Sequence, residues 1–181
     1  FSFIGNSPEL GQPVAYFYII VYFFSNILLF GLILRVSSFN EQVSSIYDLK
    51  GLNRRNPLYA FLILFIMLSL AGIPPTIGFW AKFSVINLLV NSGFVYFALI
   101  AIIFSVVGAF YYLRIIKIVY FDVGDFKYQV ETDKFFDVVI TINGFILLSL
   151  GLAPGLMINM IQNIFVWIAE NERKRIFWKK N

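Results

Sequence analysis

One charged residue lies deep inside an apolar part of this sequence. Lys82 occurs in the segment TIGFWAKFSVINLLV, and no other charged residue lies between Arg55 and Arg114. An apolar medium favours the neutral amine over the ammonium, so a lysine in this position can release and take up a proton. The chain has no His and no Cys, which leaves Lys, carboxylates, Tyr and water for proton chemistry. Lys82 is therefore the candidate catalytic residue, as a proton relay, and no metal-binding or cofactor-binding residues are predicted.

A second interpretation of Lys82 stays open at this point. The residue follows Pro75 by seven positions, or about 10 Å along a helix. If the prolines lie at a membrane surface, the long side chain can reach the headgroups by snorkelling.

The helix break itself favours the proton-carrier interpretation. A helix that begins near Pro75 or Thr76 would point the positive end of its dipole toward the surroundings of Lys82, which favours the neutral amine.

Polar residues elsewhere in the apolar runs are weaker candidates for a hydrated path. They are Ser25, Asn26, Ser69, Ser84, Asn87, Ser105 and Arg114. Ser and Asn within a membrane usually bond across helices, and an arginine near the end of a run usually snorkels or contacts lipid phosphate. The segment GIPPTIG is not a phosphate loop, because no GK[ST] follows it.

The elements that carry these residues are predicted to be membrane helices. The 181 residues are 60% hydrophobic and 13% charged, well outside the range of soluble domains. The predicted fold is an all-α polytopic transmembrane bundle of about four crossings, with one discontinuous helix and a C-terminal interfacial helix. Residues 1–170 form a single transmembrane helical region with crossings near 14–36, 57–91 (broken), 93–121 and 135–152 and the interfacial helix at 156–169, and residues 171–181 form a basic tail.

The discontinuity comes from Gly72, Pro74 and Pro75, with Gly78 beside them. The run from 56 to 91 is too long for one straight crossing, and proline removes a backbone donor and clashes with the preceding turn. Two arrangements fit the sequence. Either two short helices turn back at the prolines, which gives five crossings, or one crossing is a broken helix.

The residues at the ends of the predicted membrane crossings suggest contacts with lipid headgroups. Arg35 closes the first run, where its side chain can snorkel, and residues 37–56 follow as a polar loop. The basic tail fits a solvated terminus or anionic lipid headgroups, and nucleic acid is not a predicted partner. An apolar stripe on the last helix is typical of an interfacial helix and consists of Met157, Met160, Ile161, Ile164, Phe165 and Ile168.

The block SLAGIPPTIGFWAKF (69–83), with NPLYAFLILFIML before it and AFYYLRIIKIVY after it, is similar to a known family. It resembles the C-terminal part of subunit 2 of proton-pumping NADH:ubiquinone oxidoreductase (respiratory complex I), one of the antiporter-like subunits. The resemblance covers most of residues 14–155, and LSLAGIPP-x-x-GF-x-x-KF is its most specific part. The other antiporter-like subunits and multi-subunit cation/proton antiporters share the block more loosely.

The resemblance implies a discontinuous helix whose lysine belongs to a hydrophilic axis that relays protons across the membrane. Lys82 matches that lysine, the glycines and prolines of the break match the discontinuity, and Arg114 matches the arginine of a Y-Y-x-R segment. Lys82 also favours subunit 2 over an antiporter-like subunit that has Glu at this place. The chain would then be part of an enzyme, the H⁺-translocating NADH:ubiquinone reductase, without redox chemistry of its own. By the same resemblance, flavin, iron–sulfur clusters and ubiquinone belong to other subunits.

Family members contain two inverted five-helix bundles, and nothing in this sequence resembles the first bundle. We therefore expect a fragment or a split-gene product, whose partners are a chain with the N-terminal half, other membrane-arm subunits and membrane lipids. Residues read by AT-rich codons are frequent, with 22 Phe and 10 Tyr against 12 Gly and 6 Pro, as in many organellar genes. The expected location is the mitochondrial inner membrane, with the bacterial plasma membrane as the alternative.

Two other functions fit the same residues. One is a membrane subunit of a multi-subunit cation/proton antiporter. The other is a structural or assembly protein in which Lys82 forms a fixed ion pair with a partner chain and moves no protons.

Overall fold

Every element of secondary structure in the described part of the chain is helical. The computed structural model describes residues 8–36, 45–124, 134–161, 163–164, 166–167 and 171. The helices are α1 (Pro8–Val36), α2 (Leu52–Arg55), α3 (Pro57–Ala71), α4 (Ile77–Asn91), α5 (Val95–Tyr120) and α6 (Lys134–Leu152), with a 3₁₀ turn at Ile46–Leu49 and further helical backbone at 154–161. Three of them, α1, α5 and α6, are long and apolar enough to cross a membrane. The predicted all-α membrane bundle is confirmed.

The short helices α3 and α4 together form one broken crossing. Each has 15 residues, or about 22 Å, which is less than the roughly 30 Å of a hydrocarbon core. Gly78 lies against Ser69, and Lys82 lies against Gly72. Along these two contacts the residue numbers increase in both helices, so α3 and α4 run in the same direction. In an antiparallel hairpin the number in α4 would decrease as the number in α3 increases. The arrangement with five crossings is therefore excluded, and α5 packs along both halves of the broken helix.

The break has a defined backbone structure at the end of α3. Gly72 takes a left-handed conformation with φ of 80°, which favours glycine, and the Pro74–Pro75 peptide bond is cis. The amides of Gly72 and Ile73 donate to the carbonyls of Ser69 and Leu68, which is the hydrogen-bond pattern of a Schellman motif. The chain therefore leaves α3 in a sharp turn and enters α4 one turn later.

Helix α6 packs closely against the broken helix through two glycines. A Cβ atom on Gly144 would meet the side chain of Leu62. A Cβ atom on Gly151 would lie 2.7 Å from the carbonyl oxygen of Pro75 and 2.9 Å from the amide nitrogen of Ile77. Small residues allow membrane helices to approach each other to this degree. The position of α6 therefore supports the backbone of the break.

The core lies between α1 and the broken helix, and the outer faces remain apolar. Leu28, Leu32 and Ile66 are fully buried. The outer faces of α5 and α6 carry large exposed side chains such as Phe104 and Phe135. Contiguous apolar surface of this extent is typical of helices that face lipid or another protein chain.

Two segments depart from the sequence predictions. The predicted polar loop 37–56 contains the 3₁₀ turn, which begins at a capping box of Ser45 and Asp48, and the short helix α2. Residues 37–44 lie outside the described residues. In the predicted interfacial stripe, Ile161 is buried and Met157 packs on the core, whereas Met160 and Ile164 are exposed. Phe165, Ile168 and the tail residues 172–181 lie outside the described residues.

Candidate functional site

Lys82 lies in the second turn of α4 and reaches back to the end of α3. Its Nζ atom donates to the carbonyl oxygens of Leu70 and Ala71, at 2.7 and 3.1 Å. A third bond of 3.1 Å joins Nζ to Oγ of Ser105 on α5. These three acceptors match the three N–H donors of an ammonium group. No carboxylate of the described residues pairs with Lys82.

The lysine completes the hydrogen bonding at the end of α3. A helix leaves its last four carbonyls without partners inside the helix. The Schellman motif uses the carbonyls of Leu68 and Ser69, and Lys82 binds the next two. Nζ lies at the carbonyl end of α3, which is the negative end of that helix dipole and favours the ammonium.

The amine of Lys82 is hydrogen-bonded to Ser105, near the middle of the membrane-spanning helix α5. Ser105 lies about 15 Å along α5 from Val95 and about 22 Å from Tyr120, at 1.5 Å per residue. Neither end of α5 is therefore within reach of the amine that Ser105 binds. The interpretation in which Lys82 snorkels to the headgroups does not agree with this position.

A cavity of about 190 Å³ adjoins Lys82. We call it the Lys82 cavity, and its wall consists of Tyr18, Val21, Tyr22, Ser25, Ser69, Leu70, Gly78, Ala81, Lys82 and Tyr112. This volume is large enough for several water molecules, which need polar partners such as these hydroxyl groups. Ser25 and Ser69 are each 1% exposed, so they face the interior of the bundle.

Only some of the predicted path residues gather around Lys82. Ser25, Ser69 and Ser105 do so, and Ser69 Oγ also accepts from the Gly78 amide at 3.2 Å. The others bond elsewhere: Ser84 and Asn26 donate to the backbone carbonyl four residues earlier, Asn87 accepts from Asn91, and Arg114 donates to Tyr47 Oη.

Three tyrosines of the cavity wall were missed by the sequence analysis. Tyr18 and Tyr22 come from α1, and Tyr112 comes from α5. Tyrosine is common throughout these apolar runs, so its position in the sequence alone does not distinguish a cavity wall from a lipid-facing surface. The Y-Y-x-R segment, which contains Tyr112, was the one available signal.

A part-buried ionic cluster was also missed. Arg35 donates to Asp137 through Nε at 2.6 Å and through Nη2 at 3.1 Å, and Tyr59 Oη donates to the same carboxylate at 2.5 Å. We call these three residues the ionic clasp, because they join α1, α3 and α6. The Arg35 side chain is only 10% exposed, so the prediction that it snorkels is wrong. Its partner lies 102 residues away in the sequence, and only the fold brings the two together.

Comparison with protein-family models gives one match. Residues 2–108 match the family described as "NADH:quinone oxidoreductase/Mrp antiporter, TM". The matched region includes α1, the broken helix with Lys82, and the part of α5 that carries Ser105.

Curated proteins and solved structures give concordant similarities. The chain is 43% identical over 150 residues to NADH-quinone oxidoreductase subunit N of Herminiimonas arsenicoxydans. The alignment covers 83% of this chain and 30% of that relative. It is 40% identical over 157 residues to the subunit of the same name from Thioalkalivibrio sulfidiphilus, in an alignment that covers 87% of this chain and 33% of that relative. The chain therefore spans about a third of the length of these relatives. A chain of respiratory complex I from Thermus thermophilus with bound aureothin matches with a TM-score of 0.72 and 29% identity, over 84% of this chain and 35% of that one.

Proposed function

The chain belongs to the family of NADH:quinone oxidoreductase and Mrp antiporter membrane proteins, and we propose that it is part of a membrane-arm subunit of respiratory complex I. In this role it contributes to proton translocation coupled to electron transfer from NADH to quinone, as part of an enzyme whose redox centres lie in other subunits. The remaining part of the subunit fold and the other membrane-arm subunits are the proposed partners.

The position of Lys82 is the observation that carries this proposal. Its amine lies at mid-depth, in the break of a membrane helix, beside a cavity lined with hydroxyl groups. An amine can exchange protons with water in such a cavity, whereas an apolar bundle without it offers no proton carrier. Lys82 is the proposed proton-relay residue, and Ser25, Ser69 and Ser105 are the proposed polar residues around it.

We also propose two finer assignments. Lys82 supports subunit 2 over an antiporter-like subunit that has Glu at this place, and composition typical of AT-rich genes supports a mitochondrial complex, located in the inner membrane as a multi-pass protein. The relatives are bacterial and carry the name subunit N, so a bacterial plasma membrane is the alternative location.

Affinity purification of the chain from its native membranes tests the proposal. We expect it to co-purify with flavin-containing and iron–sulfur subunits and with NADH:quinone reductase activity. Cation/proton exchange without any redox subunit would instead show a multi-subunit antiporter. A purified assembly with neither activity would overturn both and favour a structural role.

A further inference from the structure

We propose that Tyr18, Tyr22 and Tyr112 relay protons between Lys82 and water in the Lys82 cavity. This inference rests on the proposed role of the chain in proton translocation. The route leaves the lysine sideways, between α1 and α5, and does not follow the axis of the bundle toward the ionic clasp.

The wall of the cavity is suited to this exchange. Tyr18 and Tyr22 lie one turn apart on α1 with stacked rings, whose centroids are 6.0 Å apart, and Tyr112 faces the same cavity from α5. A phenolic hydroxyl is both a donor and an acceptor. It can accept a proton from a water molecule while it releases its own to the next acceptor, and water in the Lys82 cavity links the phenols to the amine. Each O–H bond that breaks is replaced by one that forms, so no oxidant or reductant takes part.

The direction toward the ionic clasp is closed. Leu28, Leu62 and Ile66 lie between the two sites and are 0%, 2% and 0% exposed. These side chains offer no polar partner that could hold a water molecule. A proton on Lys82 therefore has no hydrated path along the core to Asp137.

The groove between α1 and α5 becomes apolar beyond the tyrosines. A second cavity of about 220 Å³ follows it toward the 3₁₀ turn, and its wall is apolar apart from Ser45. Leu29, Ile63 and Ile115 are among the residues that line it. A water molecule needs two to four polar partners, and this wall offers only Ser45, so a water chain from Lys82 ends at the tyrosines. Within the described part of the chain, the tyrosine wall is the hydrated side of Lys82.

The sequence contains a matched control beside one of the three tyrosines. Tyr111 precedes Tyr112 on α5 but is 59% exposed and does not line the cavity. The Tyr→Phe change at either position removes one hydroxyl group and preserves the ring. A difference between the two variants therefore reports on the hydroxyl at the cavity and not on packing.

The experiment measures the rate of proton translocation by equal amounts of the complete complex in proteoliposomes, for Tyr112→Phe, Tyr111→Phe and Lys82→Ala. Assembly is checked separately by co-purification of the membrane-arm subunits with the redox subunits. We expect Tyr112→Phe to lower the translocation rate by about fivefold, the factor that corresponds to one ordinary hydrogen bond. The triple variant Tyr18→Phe/Tyr22→Phe/Tyr112→Phe should lose more, and Tyr111→Phe should behave as the wild type.

The outcomes separate this inference from the proposed function. If Lys82→Ala stops translocation while the triple tyrosine variant pumps normally, the tyrosine route is wrong and the proposed function stands. If Lys82→Ala also pumps normally, the role of Lys82 in the proposed function fails too. An equal loss in Tyr111→Phe and Tyr112→Phe would overturn the tyrosine route as well, because it would trace the effect to the tyrosine rings or their packing.

Discussion

At the scale of single residues, Lys82 combines a structural role with the proposed chemical one. Its ammonium has three N–H donors and faces three acceptors, the carbonyls of Leu70 and Ala71 and the hydroxyl of Ser105. A neutral amine has two N–H donors and one lone pair. It can therefore keep its bonds to both carbonyls while the Ser105 hydroxyl, which is also a donor, turns to donate to the lone pair. Lys82 can thus cap α3 in both protonation states.

The capping role can be separated from proton exchange by two substitutions of Lys82. Lys82→Ala leaves two carbonyls without a donor, and should lower the free energy of unfolding by about 1.5–3 kcal/mol, the range for bonds to a charged group. Lys82→Arg should keep most of that stability, because a guanidinium carries five donors. Denaturant unfolding of the purified protein in detergent measures both. An equal loss of stability in the two variants would show that Lys82 does not cap α3.

At the scale of elements, the broken crossing depends on a close approach of its two halves. The Gly78 amide donates to Ser69 Oγ, and a Cβ atom on Gly78 would overlap the carbonyl oxygen of Ser69. The backbone carbonyl cannot move away without disturbing the end of α3. The glycine at this position is therefore required by the packing of α4 against α3.

Substitution of this glycine tests the geometry of the break. Gly78→Ala should destabilise the protein by about 1–3 kcal/mol, as overpacking does in a well-packed core. Gly108→Ala on α5 is the matched control, because its Cβ would meet only Tyr112 at 3.8 Å. That change should be neutral or stabilising by up to about 1 kcal/mol, since alanine is the better helix former. The account of the break fails if the two variants unfold at the same denaturant concentration.

The ionic clasp fixes the relative positions of α1, α3 and α6. Asp137→Ala would leave the part-buried guanidinium of Arg35 without its partner, at a cost of about 1.5–3 kcal/mol, the range for hydrogen bonds to a charged group. The double variant Arg35→Met/Asp137→Leu should recover much of this loss. Asp122→Ala, which removes an exposed pair with Lys117 at 3.8 Å, should change stability by at most about 1 kcal/mol. Equal effects of Asp137→Ala and Asp122→Ala on the unfolding free energy would contradict the clasp.

Much of the fold could be predicted from the sequence because its signals are local. The apolar runs define α1, α5 and α6, and the glycine and prolines at 72–75 define where the long run breaks. The absence of other charges around Lys82 identified the lysine itself. Each of these signals is read from one continuous segment of the chain and needs no tertiary contact.

The surroundings of Lys82 and the ionic clasp could not be predicted in this way. Ser105 contacts Lys82 only because α5 packs beside the broken helix, and a serine in an apolar run is equally compatible with a bond inside its own helix, as at Ser84. Arg35 at a helix end fits both a snorkelling side chain and an ion pair. The choice depends on Asp137, which lies 102 residues later.

At the scale of the whole molecule, the polar groups of the bundle lie at two depths. The ionic clasp lies where α1 ends and α3 and α6 begin, and Lys82 with its cavity lies at mid-depth. The apolar layer of Leu28, Leu62 and Ile66 separates them. The chain spans about a third of the length of its relatives, and its outer faces are apolar. Apolar outer faces of this kind are suited to contact with lipid or with other membrane chains.

The most direct test of the central claim is the number of protons translocated per NADH oxidised by the complete complex carrying Lys82→Arg. Arginine can cap α3 but cannot release its proton. We expect a complex that keeps its membrane-arm and redox subunits together but translocates fewer protons per NADH oxidised than the wild type, because the relay through Lys82 is lost. A wild-type ratio of protons to NADH in this variant would contradict the proposal that Lys82 relays protons.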